Sequence, residues 1–301
     1  MTSIGFGKII LLGEHAVVYG YPALAAALDR GVRIDTVPTP AGGTLRAEIS
    51  AWNLKVTAED DHSLAQGLAA IADHVGVGRP PVTLVGDAQI TPGAGLGASA
   101  AFAVACARAL LAYAKKPVDA ESIIAAAGES EKILHGNPSG VDVALAYAGG
   151  LGVYRKRSGL EKLRAAPLRV LVGPSGSPRS TRLMIDKVES ATSGDRSDKR
   201  LHELGALCDS GAAALVAGDL GPLGDAMNRA HGLLAELGVS TPLLDGLCKV
   251  ARDRAAYGAK LTGAGGGGAV IAIAPREAEE SILAGWKTAG VHGFVATVGG
   301  R

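Results

Sequence analysis

The stretch TPGAGLGASAAFAVACARALLAYA, residues 91–114, joins two incompatible kinds of sequence. Its first seven residues are too rich in glycine for a regular element, whereas 98–114 is an alanine-rich run of high helix propensity. A glycine loop therefore feeds a helix N-terminus. Such a junction presents unpaired backbone N–H groups and the positive end of the helix dipole, which together stabilise a phosphate without any net positive charge on the protein. Taken alone, in so glycine-rich a chain, the segment reads more readily as a close-packing turn. The Walker pattern G-x-x-x-x-G-K-[ST] is absent, which excludes a P-loop fold. Gly93 to Ala98 matches the dinucleotide pattern G-x-G-x-x-A, but Asp119, the acidic residue at the required distance, precedes a second helix and reads as its N-cap rather than as a ribose ligand.

Composition sets the frame for this loop. The chain has 301 residues, enough for about two domains, with 43 glycines and only 4% aromatics, so tight turns and close helix packing replace an aromatic core. Thirty basic against twenty-nine acidic residues leave +1, so no net field draws the chain to nucleic acid or an anionic membrane, and an anionic ligand must be held by a local site. Cys106, Cys208 and Cys248 are distant in sequence and odd in number, which excludes a disulfide framework and fits a reducing cytoplasm. Neither a signal peptide nor a membrane span is expected. The histidines at 62, 74, 202, 231 and 292 show no metal-ligand spacing.

Working outward, residues 4–12, 31–38, 44–49 and 82–90 read as strands, and 63–75 as a helix, the first half alternating β-branched runs with alanine-rich stretches of helical character. Asp119 opens a helix running to about Leu134, ahead of an HGNPSG loop. A second domain is expected from about residue 166, giving domains 1–165 and 166–301. Its first strand is LRVLVG, followed by a polar segment and helices to about Tyr257. The end of the chain reads strand (268–274), helix (276–289), strand (294–298), a split β-α-β arrangement.

Three further segments join the first. KIILLGEHAVVYG (8–20), PGAGLGASAA (92–101) and KLTGAGGGGAVIAI (260–273) resemble, in order and spacing, the three motifs of the GHMP kinases. GEHAVVYG and EKILHGNPSGVD (131–142) resemble the mevalonate kinases among them. The resemblance spans nearly the whole chain. It implies an α+β, two-domain GHMP kinase fold with an N-terminal domain like domain 2 of ribosomal protein S5 and a C-terminal ferredoxin-like domain, holding ATP and mevalonate in the cleft between them. It also implies a soluble cytoplasmic enzyme with small-molecule substrates and no nucleic-acid or membrane partner, for which a homodimer is compatible.

Residue by residue, the resemblance gives Asp142 the place of the catalytic base and Lys8 that of the lysine beside it. Ser99 and Glu131 take the places of two Mg²⁺ ligands. Pro92, Gly93, Ala94, Gly95, Leu96, Gly97, Ala98 and Ser99 form the ATP phosphate loop, and Gly263, Ala264, Gly265 and Gly266 a loop near the substrate and the reacting phosphate. Glu14 and His15 match mevalonate-contacting positions, and Thr181 a position near the phosphates. The family commonly has two serines after GLG, whereas this chain has Ala98 and then Ser99. The roles suit the residue types: a carboxylate can take the hydroxyl proton, and Mg²⁺ is a hard ion that takes oxygen ligands and keeps several waters. Rival readings are a phosphomevalonate kinase, which must hold a second phosphate, and a nucleotide-binding regulator without chemistry.

Overall fold

The computed structural model describes residues 2–40, 43–136, 138–177 and 180–299. Asn137 of the HGNPSG loop, and Pro178 and Arg179 of the polar segment, lie outside the described residues. By compactness the chain falls into two units, each discontinuous in sequence: 1–7, 30–92 and 97–149 form one, and 8–29, 93–96 and 150–301 the other. Strands β1 (Ser3–Leu12) and β2 (Ala23–Pro38) run from one unit into the other, which no single cut in chain order reproduces.

In the first unit the distal half of β2 pairs antiparallel with β5 (Val82–Ala88), from Val32 opposite Ala88 to Pro38 opposite Val82. Beyond β5 lie β3 (Arg46–Ile49), parallel to it, and β4 (Leu54–Thr57), antiparallel to β3. Helices α1 (Ser63–Val75), α2 (Ala98–Tyr113), α3 (Ala120–His135) and α4 (Val141–Ala148) pack on one another, α1 against α3 and α2, and α4 against α2 and α3. Helix α2 is buried nearly all round, which explains its continuous apolar sequence: a helix with one wet face shows an apolar stripe instead. Asp119 caps α3, accepting from Ser122 N–H at 2.9 Å, as expected.

In the second unit β6 (Leu151–Arg155) pairs with the proximal half of β2 and with β7 (Gly159–Lys162). Strand β8 (Leu168–Pro174) precedes four helices, α5 (Thr181–Ala191), α6 (Lys199–Ala217), α7 (Leu220–Glu236) and α8 (Pro242–Arg252). Then come β9 (Gly258–Thr262), β10 (Ala269–Ile273), α9 (Glu279–Thr288) and β11 (Phe294–Val298). Both β10 and β11 lie antiparallel to β8, one on each side of it, so β10, α9 and β11 form the split β-α-β unit expected from sequence.

One alanine-rich stretch runs against intrinsic propensity. Ala23 to Leu28 (ALAAAL) is strand, although alanine favours helix. All six residues are buried, Ala23 to Ala26 pair with β6 and Leu28 with β11, so tertiary pairing overrides propensity.

Candidate active site

Helices α2 and α4 start differently from most of the others. Helices α3, α5, α6, α7 and α8 each have a side chain accepting from a first-turn N–H, whereas α2 and α4 start from Gly97 (φ 75°) and Gly140 (φ 89°) with no side-chain cap. No side chain caps their first N–H groups. Ahead of α2, Gly93, Gly95 and Gly97 all have φ near +75° to +80°, a backbone that residues with a Cβ rarely adopt. Lys8 N–H donates to Leu96 C=O at 2.8 Å, tying β1 to this loop.

Ser99 is the second residue of α2, and Glu131 and His135 lie one turn apart on α3. His135 Nε2 is 3.4 Å from Ser99 Oγ and 3.7 Å from a carboxylate oxygen of Glu131, so the two residues expected to hold a metal converge on one imidazole nitrogen. Glu131 is buried while Ser99 is half-buried. A hydroxyl and a carboxylate, each within 3.7 Å of one imidazole nitrogen, are the oxygen donors that suit a hard divalent ion keeping waters and phosphate oxygens as its other ligands. Among the described residues no three His, Cys, Asp or Glu side chains cluster as a softer metal would need. Asp142 sits half-buried in the first turn of α4, where the helix dipole favours an anion. It belongs to the first unit and Lys8 to the second.

The second unit gathers Lys8, Glu14, His15 and the loop at 263–268. Thr262 Oγ1 accepts from Ile10 N–H at 2.9 Å and donates to Ile10 C=O at 3.0 Å, so one hydroxyl stitches β9 to β1. His15 has φ 59°, a strained backbone for a residue with a Cβ, which costs on the order of 1–3 kcal/mol. Its Nε2 lies 2.8 Å from Ala264 C=O; a carbonyl only accepts, so Nε2 carries the proton and the ring anchors the third glycine loop. Gly265 in that loop has no room for a side chain, since a Cβ would lie 2.2 Å from Val239 C=O. Thr181 is the first residue of α5, and Met184, one turn on, packs its sulfur where a Cβ on Gly266 would sit. Thr181 and Met184, three residues apart, share a helix face.

Sequence reasoning missed Lys260. It is fully buried in β9, and its Nζ donates to Glu14 Oε1 and, at 2.6 Å, to Leu261 C=O. Burial raises the Glu14 carboxyl above its ordinary value; Lys260 opposes that most strongly, and Lys8 more weakly. A lysine inside the otherwise apolar GAKLT was the available signal, because such a position demands a partner.

His231 was also missed. Leu261 faces β10 at Val270, yet its own N–H and C=O point to the outer edge, where they meet His231 Nδ1 (3.3 Å) and Lys260 Nζ. His231 Nε2 donates to Asp245 at 3.0 Å. Burial holds this imidazole below its ordinary value, against the pull of Asp245. The unfolded chain takes up a proton near pH 6.5 that the folded chain refuses, so stability falls as pH drops below about 6.5, down to the lowered folded value. His231→Gln should therefore be less stable at pH 7.5 but lose less further stability on going to pH 5.5 than the wild type. Guanidinium unfolding curves at the two pH values read this; an equal loss in both proteins would contradict it.

The family models described as GHMP kinases N terminal domain and GHMP kinases C terminal match residues 62–150 and 212–292. A mevalonate kinase of Aeropyrum pernix is 35% identical over 89% of this chain and 86% of its own length. The L. major mevalonate kinase in complex with R-mevalonate superposes with a TM-score of 0.85 at 27% identity, covering 99% of this chain and 96% of that one. The Streptococcus pneumoniae phosphomevalonate kinase bound to phosphomevalonate and AMPPNP superposes with a TM-score of 0.81 at 20% identity, covering 99% of each chain, and shares the fold alone. Fold and motifs together define a two-domain GHMP kinase. Within that class, the chain belongs to the mevalonate kinase family.

Proposed function

We propose that the protein is an ATP-dependent mevalonate kinase, moving the γ-phosphoryl group of ATP to the 5-hydroxyl of (R)-mevalonate to give 5-phosphomevalonate and ADP. The observation that carries this reading is the 35% identity to a mevalonate kinase across 89% of the chain, with all four motifs in order. In this reading 1–165 is the nucleotide and metal domain and 166–301 the C-terminal domain. The backbone N–H groups of Pro92 to Ser99 other than proline's own hold the ATP phosphates. Ser99 and Glu131 would hold Mg²⁺, which when bound neutralises charge on the phosphates. Asp142 takes the proton from the 5-hydroxyl, and Lys8 supplies positive charge for the negative charge that develops. Glu14 and His15 orient the acceptor, with His15 acting through the Ala264 carbonyl, while the 263–266 loop and Thr181 lie towards the transferred phosphate. No described helix is long and apolar enough to cross a membrane, and a cytoplasmic location fits an enzyme acting on small soluble substrates.

A phosphomevalonate kinase would need cations for a second phosphate. Beside Glu14 the structure brings Lys8 and Lys260, and the charge of Lys260 is balanced by Glu14 itself. ADP release measured with mevalonate, phosphomevalonate, homoserine and galactose at equal concentration tests the reading. Mevalonate should be fastest; a faster rate with any of the others overturns it, and no ADP release with any acceptor would favour the regulator.

A further inference from the structure

The Glu14–Lys260 pair is poorly explained by stability. Glu14 is 1% and Lys260 0% exposed, and a buried ion pair gains from its mutual attraction little more than it loses by leaving water, so apolar replacements of such pairs are often neutral or stabilising. Its hydrogen bonding is also incomplete. Lys260 Nζ donates to Glu14 Oε1 and to the Leu261 carbonyl, whereas Glu14 Oε2 is buried with no hydrogen-bond partner among the described residues. A buried carboxylate oxygen left unpaired calls for a donor from outside the chain. A carboxylate beside the acceptor cannot bind the acceptor's own carboxylate, since like charges repel. What it can bind is a hydroxyl. Mevalonate carries one besides the hydroxyl that is phosphorylated, the tertiary hydroxyl on C3.

We infer that Lys260 is a positioning residue for the acceptor: by holding Glu14 Oε1 it presents Oε2 to accept a hydrogen bond from the substrate's non-reacting hydroxyl. The inference rests on the mevalonate reading and adds to it the group that the site reads and the residue that sets the reader. Leu261 clamps the arrangement, with its carbonyl on Lys260 and its N–H on His231, so Nζ has a fixed origin from which to hold the carboxylate. A site built to bond a hydroxyl rejects the analogue lacking it, because its own acceptor is then left unpaired.

The experiment compares kcat/KM for mevalonate and for 5-hydroxy-3-methylpentanoate, which lacks only the C3 hydroxyl, in the wild type, Lys260→Met and the double variant Glu14→Gln, Lys260→Met. The wild type should prefer mevalonate by roughly 100-fold or more. In both variants the preference should fall to about 10-fold or less, through a raised KM for mevalonate, with KM for ATP changing by less than about twofold. Equal loss with both acceptors, or a preserved preference, would make Lys260 merely structural and overturn the proposal. Should Lys260→Met leave Glu14 so destabilised that the protein does not fold, the double variant, which removes both charges, decides. If the wild type phosphorylates another acceptor instead, the mevalonate reading fails by itself, and the same comparison with that acceptor and its deoxy analogue decides the role of Lys260.

Discussion

Asp142→Asn is expected to lower kcat by roughly 100- to 10,000-fold while leaving ATP affinity nearly unchanged. The substitution keeps the size and hydrogen-bonding shape of the side chain and removes its basicity. Everything else about the position stays as the fold sets it. Gly140, at φ 89°, turns the chain into α4, and the uncapped first turn of that helix favours a carboxylate at Asp142. An amide there still accepts a hydrogen bond but cannot carry away a proton, so the loss falls on the chemical step rather than on binding. Single-turnover kinetics with calorimetric ATP binding separate the two, and a variant retaining more than about a tenth of wild-type turnover would remove Asp142 from the role of base.

Glu131→Gln should produce the next largest effect, raising the Mg²⁺ concentration for half-maximal activity by about 10-fold or more. Glu131 is 2% exposed and meets Ser99 through His135, so its charge is the one anionic contribution of that trio. Ser99→Ala removes a neutral ligand that a water can replace, and should shift the Mg²⁺ requirement less. Mn²⁺ binding in the presence of ADP, followed by electron paramagnetic resonance, gives a readout independent of turnover. An unchanged metal requirement in Glu131→Gln would mean that another carboxylate holds the ion.

Local signals in the sequence carried the parts of this fold that local physics decides. The glycine loop at 92–97 and the helix behind it are written in backbone preferences, as are the Asp119 cap and the strand-helix-strand pattern of the last 34 residues, 268–301. Resemblance to the GHMP kinases supplied what local preference could not, since an aspartate after a glycine turn is ordinarily just a turn residue. What escaped both was set by partners distant in sequence. Ala23 to Leu28 are strand because β6, more than 120 residues on, pairs with Ala23 to Ala26, and β11, further still, with Leu28. Likewise Glu14 and Lys260 are 246 residues apart, His15 and Ala264 249, and Ile10 and Thr262 252. No periodicity records such meetings. The lysine in GAKLT announced that it needed a partner without saying which, and the third glycine loop gave no sign that a histidine from the first motif would hold it.

The central claim, phosphorylation of mevalonate on its primary hydroxyl, is tested most directly by identifying the product. Purified protein with ATP, Mg²⁺ and (R)-mevalonate should yield, in phosphorus NMR, a phosphomonoester resonance split into a triplet by the two hydrogens on C5, growing in step with ADP. A product phosphorus without that coupling, or a diphosphate pair formed only when phosphomevalonate replaces mevalonate, would contradict the account.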